Sequence, residues 1–306
     1  MASGGNALSF KKVGREASIQ IASGGSAGFV EICLMHPLDV VKTRFQVQSS
    51  ATDPDRYRSI ADCFRRMIRS EGLFSIYKGI LPPILAETPK RAVKFFTFEQ
   101  YKKLFRYDVK DTPVSLSLAG LFAGLTEAIF VNPFEVVKVR LQTDKSKVSE
   151  QMTTFQVARS IYREGGIGLR GVNLGLTSTM MRNGAFNMVY FGFYFSVKDR
   201  LPKTDSEVAT LALRIATGFT AGTMASCFNI PFDVAKSRIQ STGHIANTPY
   251  KTCLQSVALV YRQEGFQALY KGLVPKVLRL GPGGAVMLVV YEHMREFLEH
   301  KWPPYN

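Results

Sequence analysis

Three carboxylates in this chain are each followed by a lysine and a glutamine at one fixed spacing. Asp39, Glu135 and Asp233 precede Lys42, Lys138 and Lys236 by three residues and Gln46, Gln142 and Gln240 by seven. On a helix, positions i, i+3 and i+7 share a face, so each acid, lysine and glutamine point the same way. The chemistry such groups offer is reversible ion pairing rather than bond making. Three faces around a common centre would close a ring in which each acid meets the lysine of the next copy. Each glutamine amide, both donor and acceptor, would brace a pair. Arg44, Arg140 and Arg238 stand two residues past each lysine, on another face, and are expected at a lipid headgroup or in solvent. A proline two residues before each acid (Pro37, Pro133, Pro231) removes a backbone hydrogen bond and kinks the helix.

The elements that must carry these residues follow from their period. The prolines lie 96 and 98 residues apart in a chain of 306, so the protein is a threefold internal repeat. The repeats are read as residues 19–106, 107–203 and 204–300, between a polar tail at 1–18 and a short tail at 301–306. Each repeat holds two apolar stretches of roughly 20 residues, enough for about 30 Å of bilayer as helix. They fall at 19–38, 80–98, 115–134, 176–197, 211–232 and 273–291. The first of each pair carries a GxxxG motif (Gly24/Gly28, Gly120/Gly124, Gly218/Gly222), which lets helix backbones approach closely. Between the paired stretches lie charged loops with short amphipathic helices expected near 57–69, 155–163 and 250–262. The fold class is an all-α membrane protein with six spanning helices.

Composition fits that reading. The chain is 46% hydrophobic, its mean hydropathy is +0.01 and its net charge is +15. Charges inside the apolar stretches (Glu31, Glu87, Lys90, Arg91, Lys94, Glu127, Arg182, Lys276, Arg279) would cost about 2.5–3.5 kcal/mol each facing lipid. They are therefore expected to face a water-filled interior, which accounts for the middling hydropathy. The basic balance by itself would also suit nucleic acid or anionic lipid, but only the net charge favours nucleic acid, and no nucleic-acid partner is expected. The four cysteines have no metal or disulfide spacing and read as free thiols. No nucleophile triad, metal cluster or nucleotide loop points to an enzyme, and His36 reads as structural.

The motif Pro-x-[Asp/Glu]-x-x-[Lys/Arg]-x-[Lys/Arg], three times at this spacing, resembles the mitochondrial carrier family. So do Glu71-Gly72 with Tyr77-Lys78-Gly79, and Glu264-Gly265 with Tyr270-Lys271-Gly272. The resemblance covers residues from about 19 to 298. It implies six tilted helices around a pseudo-threefold axis, three short matrix helices and an inner-membrane location with both termini toward the intermembrane space. Repeat two departs: Glu164-Gly165 is followed by Asn173-Leu174-Gly175, later than in the other repeats and without aromatic or base. In the family these elements imply phospholipid contacts, cardiolipin above all, made through helix N-termini; the departure weakens the middle one. No other cofactor and no metal is implied, and the expected form is a monomer.

The resemblance also assigns roles. The acids, lysines and glutamines of the motif would form a matrix gate. A second gate at the cytoplasmic side would use Glu99 with Lys102, then Lys198, then Glu292 with Arg295, braced by Tyr194 and Tyr291. Its middle acid is missing, since Phe195 stands there. Aligning the even helices on Gly79, Gly175 and Gly272 places Ala86, Arg182 and Arg279 seven residues on, and Glu87, Asn183 and Leu280 eight on. These positions imply substrate contacts. Two arginine forks on different helices suit two carboxylates, with Lys90 and Lys94 adding positive potential. The alternative for the arginines is an internal pair with Glu31 or Glu127. Strings such as 79–94, 187–194 and 279–285 resemble the branch of the family that exchanges 2-oxodicarboxylates (2-oxoadipate, 2-oxoglutarate). A citrate- or malate-type substrate is the alternative.

Overall fold

The computed structural model describes residues 3–48, 56–105, 112–198, 200, 206–243 and 248–302. Among these, regular structure is helical throughout: α1 (Ser3–Val47), α2 (Ile60–Glu71), α3 (Leu81–Leu104), α4 (Pro113–Thr143), α5 (Thr154–Gly165), α6 (Leu176–Lys198), α7 (Glu207–Thr242), α8 (Cys253–Glu264) and α9 (Leu273–Lys301). Each repeat is thus long helix, short helix, long helix, as the hydropathy pattern predicts. The expected repeat boundaries at 106/107 and 203/204 lie outside the described residues. Helix α1 begins at Ser3, so the stretch expected as a polar tail continues the first helix.

Helices α1, α4 and α7 run through Pro37, Pro133 and Pro231 and carry the whole motif in helical form. By length and composition alone, Ser18–Val47, Pro113–Thr143 and Phe266–Lys301 are apolar enough to cross a membrane. Helix α3 carries Glu87, Lys90, Arg91, Lys94 and Glu99 within its length. Large apolar side chains such as Phe130 and Phe228 are more than half exposed on the long helices, as a lipid-facing wall requires.

The short helices explain the apolar residues inside the motif. In α2, buried Cys63 and Met67 recur one turn apart and pack on Val40 and Val41. In α5, Val157 and Ile161 pack on Val136 and Val137, and in α8 Val260 joins Val234. Full burial of a side chain such as Met67 stabilises by about 1.5–3 kcal/mol. The valines therefore hold each motif against its own short helix, which turns the acid and lysine the other way. Ser59 and Thr153 cap α2 and α5 by accepting from the amides of Asp62 and Gln156.

The chain forms two compact units, residues 1–35 with 281–306, and residues 36–280. Within the first, Arg15 Nε donates to the Trp302 carbonyl at 2.6 Å. A Cβ on Gly283 would lie 3.2 Å from the Glu31 carboxylate. The second unit holds all three motifs. There, Gly120 and Gly124 let α4 lie against α6, since a Cβ at Gly124 would fall 2.5 Å from the Asn183 carbonyl. The GxxxG reading is thus borne out at this seam, while Gly24 faces open space and Gly218 has only a distant neighbour at 3.8 Å.

Candidate functional site: a ring of ion pairs with a second set of cations

The expected ring forms. Lys138 Nζ lies 2.9 Å from Asp39 Oδ2, Lys236 Nζ 2.5 Å from Glu135 Oε2, and Lys42 Nζ 2.9 Å from Asp233 Oδ2. Every pair joins an acid to the lysine of the following repeat, in the order one to two, two to three, three to one. The acids keep side-chain exposures of 3–15%, so each charge is taken from water and depends on its partners.

Each acid has a second cation, from α6 or α9. Arg279 Nη1 donates to both oxygens of Asp39, at 2.6 and 2.8 Å. Arg182 Nη2 donates to Glu135 Oε1 at 2.7 Å, and its Nη1 lies 3.6 Å from Asp233 Oδ1. Lys276 Nζ donates to Asp233 Oδ2 at 2.8 Å and also bonds Asn229 Oδ1. The two arginines aligned as ligand contacts therefore rest on the acids of the ring. Asn183 sits beside Arg182, accepting from Nε at 3.0 Å and Nη2 at 2.6 Å. Glu87 pairs with Arg91 at 2.5 Å. Lys90 is within electrostatic reach of Glu135, and Lys94 lies over the Phe191 ring.

The glutamines do not brace the pairs as expected. Gln142 Oε1 accepts from Thr43 Oγ1 at 2.7 Å, and Gln46 Oε1 accepts from Ser237 Oγ at 2.7 Å. Gln240 Nε2 donates to Asn132 Oδ1 and the Leu174 carbonyl, at 3.1 and 3.3 Å. Being a full turn past the lysine, each glutamine clears the ring; Gln46 and Gln142 meet the neighbouring motif, whereas Gln240 meets Asn132 and Leu174 outside it. Repeat two has Val139 where the others have Thr43 and Ser237, and Gln240 Oε1 is buried without a partner.

The arginines expected at headgroups or in solvent are also placed otherwise. Arg44 and Arg238 are buried. Arg44 forks onto Glu71, with Nη2 2.7 Å from Oε2, and Lys78 Nζ reaches the same oxygen at 2.7 Å. Arg44 Nη1 also donates to the Tyr57 hydroxyl at 3.2 Å, and other donors cap carbonyls of repeat two: Arg44 Nε on Gln142, Lys78 Nζ on Asp144 and Ser146. Arg238, Glu264 and Lys271 repeat the arrangement and cap the carbonyls of Gln46 and Gln48 in repeat one. Burial alone would push the Glu71 and Glu264 carboxyls up; hydrogen bonds from the flanking cations outweigh it and hold both below the usual carboxylate range. The recurring Glu-Gly element was the signal for these clasps, because a glutamate fixed downstream needs a fixed cation. Lys78 and Lys271 thus spend their charge inside the protein.

Repeat two lacks the clasp. Arg140 pairs with Glu164 at 2.7 and 2.9 Å, but that glutamate is 43% exposed. Leu174 stands where the others have lysine and packs against the apolar clusters of both repeats two and three. Gly79, Gly175 and Gly272 all adopt positive φ, and a Cβ at Gly79 or Gly272 would lie 3.1 Å from the Lys138 or Lys42 carbonyl.

At the other end of the helices, Glu99, Lys198, Glu292 and Arg295 are exposed, whereas Lys102, Tyr194 and Tyr291 are half-buried. Arg295 pairs with Glu299 at 2.7 Å, and Lys198 lies over the Phe195 ring. His36 is buried and its Nε2 bonds the Lys78 carbonyl at 2.9 Å, a structural role. Cys33, Cys63, Cys227 and Cys253 are free.

A threefold helical repeat whose signature acids and lysines close a ring defines a carrier of solutes, and comparison with known proteins agrees. The mitochondrial carrier protein family model matches residues 15–109, 109–205 and 207–302, and the chain belongs to that family. It is accordingly a multi-pass transporter of the inner mitochondrial membrane and not an enzyme. Among its relatives is the mitochondrial 2-oxodicarboxylate carrier of Bos taurus, 58% identical over 94% of this chain and 96% of that protein. The Homo sapiens protein of the same name is 58% identical over 94% and 97%. The mitochondrial 2-oxodicarboxylate carrier 2 of Saccharomyces cerevisiae is 40% identical over 91% and 93%.

Proposed function

We propose that this chain exchanges 2-oxodicarboxylates, such as 2-oxoadipate and 2-oxoglutarate, across the inner membrane by alternating access. The observation that carries the reading is that Arg182 and Arg279, on different helices, each hold a carboxylate already, that of Glu135 and of Asp39. A dicarboxylate offers the same two groups. Taking the arginines strips each acid of its second cation and weakens the ring that closes the matrix mouth. Binding thereby lowers the cost of opening, and the empty carrier stays shut. Asn183 orients Arg182, while Lys90 and Lys94 draw the dianion in and Glu87 tempers their charge. After release, Glu99, Lys102 and Lys198, with Tyr194, act at the cytoplasmic mouth, and both termini face the intermembrane space.

A tricarboxylate is the second reading, because six cations meet three carboxylates in the cluster, an excess of three positive charges. Purified protein in liposomes, loaded with 2-oxoglutarate and challenged with 2-oxoadipate, citrate, malate and phosphate, separates the two. Exchange confined to citrate or malate would overturn the first reading. The carrier acts as a monomer with bound cardiolipin. A groove of about 400 Å³ lined by Phe74, Tyr77, Gly79, Thr153 and Phe155 suits an acyl chain and headgroup. With Lys78 engaged in the clasp, the phosphate there would meet helix N-terminal amides rather than an ammonium.

A further inference from the structure

Lys276 is peculiar to the third repeat. Four residues past Gly79 and Gly175 stand Pro83 and Thr179, where Lys276 follows Gly272. It lies one turn before Arg279 on α9, on the same face. Its ammonium shares Asp233 with Arg182, bonding Oδ2 at 2.8 Å while Arg182 Nη1 lies 3.6 Å from Oδ1. Lys276 therefore stands next to both arginines, to one along its helix and to the other across a shared carboxylate. Its side chain is 13% exposed against 15% for Arg182, so neither is sealed from solvent, and the shared Asp233 keeps the two together. Phe186, one turn past Arg182 on α6, offers its ring 5.8 Å from the ammonium, an apolar wall for a carbon chain.

We infer that Lys276 is the donor that reads the 2-oxo group, with Arg182 and Arg279 taking the two carboxylates. This rests on the dicarboxylate reading above. Guanidinium forks match the paired oxygens of a carboxylate, whereas an ammonium is a point donor matched to a single oxygen. A third donor beside two forks fits a ligand with a fifth oxygen next to one carboxylate, which a plain dicarboxylate lacks. On binding, Lys276 exchanges Asp233 for that carbonyl oxygen, and Lys42 remains on the acid.

The test compares 2-oxoglutarate with glutarate, dianions of the same chain length that differ by one carbonyl oxygen, as external substrates for liposomes containing 2-oxoglutarate. Wild type should favour the 2-oxo acid by about tenfold or more, the worth of one hydrogen bond to a charged donor. Lys276→Met should bring that ratio near unity. Lys276→Arg, which keeps the charge on Asp233, should also lower it and decides the matter if thermal shift shows the methionine variant unfolded. A residue that merely held Asp233 would change both substrates alike. An unaltered ratio in the folded variants overturns the inference. No preference in wild type overturns it too while leaving dicarboxylate transport standing, and uptake of neither acid overturns that reading as well.

Discussion

The same ten-residue motif carries two kinds of buried ion pair, and they differ in how replaceable their partners are. In the ring, Asp39 is shared between Lys138 and Arg279, and the lysine side chain is 21% exposed. In the clasp, Arg44, Glu71 and Lys78 have side chains 1–3% exposed, and the donors that Glu71 leaves over are spent on backbone carbonyls and the Tyr57 hydroxyl. A solute carboxylate can stand in for Asp39 toward Arg279; nothing from solution can reach Glu71. The first arrangement suits a contact broken in every cycle, the second one kept throughout.

Substitutions can break this contrast. Arg44→Ala leaves Glu71 with Lys78 alone and the Gln142 carbonyl without its donor in a dry site, and removing one member of a buried pair costs about 3–5 kcal/mol. Its thermal unfolding in detergent should fall far more than that of Lys138→Ala, which leaves Asp39 its arginine but should abolish exchange. Equal loss of stability would erase the distinction. Arg140→Ala should cost no more than about 1 kcal/mol, since the Arg140–Glu164 pair is exposed and stands outside any clasp.

The contrast also separates the seams. Repeats one and two, and three and one, are joined by clasps, whereas Leu174 packing joins two and three. Val139→Thr should sharpen this by giving the unpartnered Gln240 Oε1 the hydroxyl that Thr43 gives Gln142. A gain of about 0.5–1.5 kcal/mol is expected in thermal stability. A loss would mean that the hydroxyl finds no acceptor there.

Much of this was legible in the sequence. The spacing of Asp39, Lys42 and their copies placed the ring, while aligning Gly175 and Gly272 singled out Arg182 and Arg279 as ligand contacts without showing that they rest on Glu135 and Asp39. Gln46, Gln142 and Gln240 share that face but lie a turn beyond, and helical periodicity does not say where neighbouring helices cross. Periodicity alone points Arg44 and Arg238 to solvent, because their partners, Glu71 and Glu264, end short helices whose path it leaves open. Lys276 was visible as a charge but had no counterpart in the other repeats to give it a role.

The clasp should also show in acid. Glu71 has its carboxyl held below the ordinary value of 4.5, so its contribution is complete above that value and is lost as pH falls through the lowered one. Glu71→Gln should lower stability at neutral pH and flatten the acid limb of the stability curve below about pH 4. An acid limb identical to wild type would show that Glu71 is not charged in the folded state.

The central claim is that substrate and ring compete for the same arginines. Asp39→Asn frees Arg279 from its acid while leaving Arg279 itself in place. Substrate-dependent thermal stabilisation measured across a 2-oxoglutarate titration should reach its midpoint at a concentration about fivefold lower than in wild type, because less of Arg279 is withheld. A midpoint unchanged or shifted to higher concentration would contradict the competition.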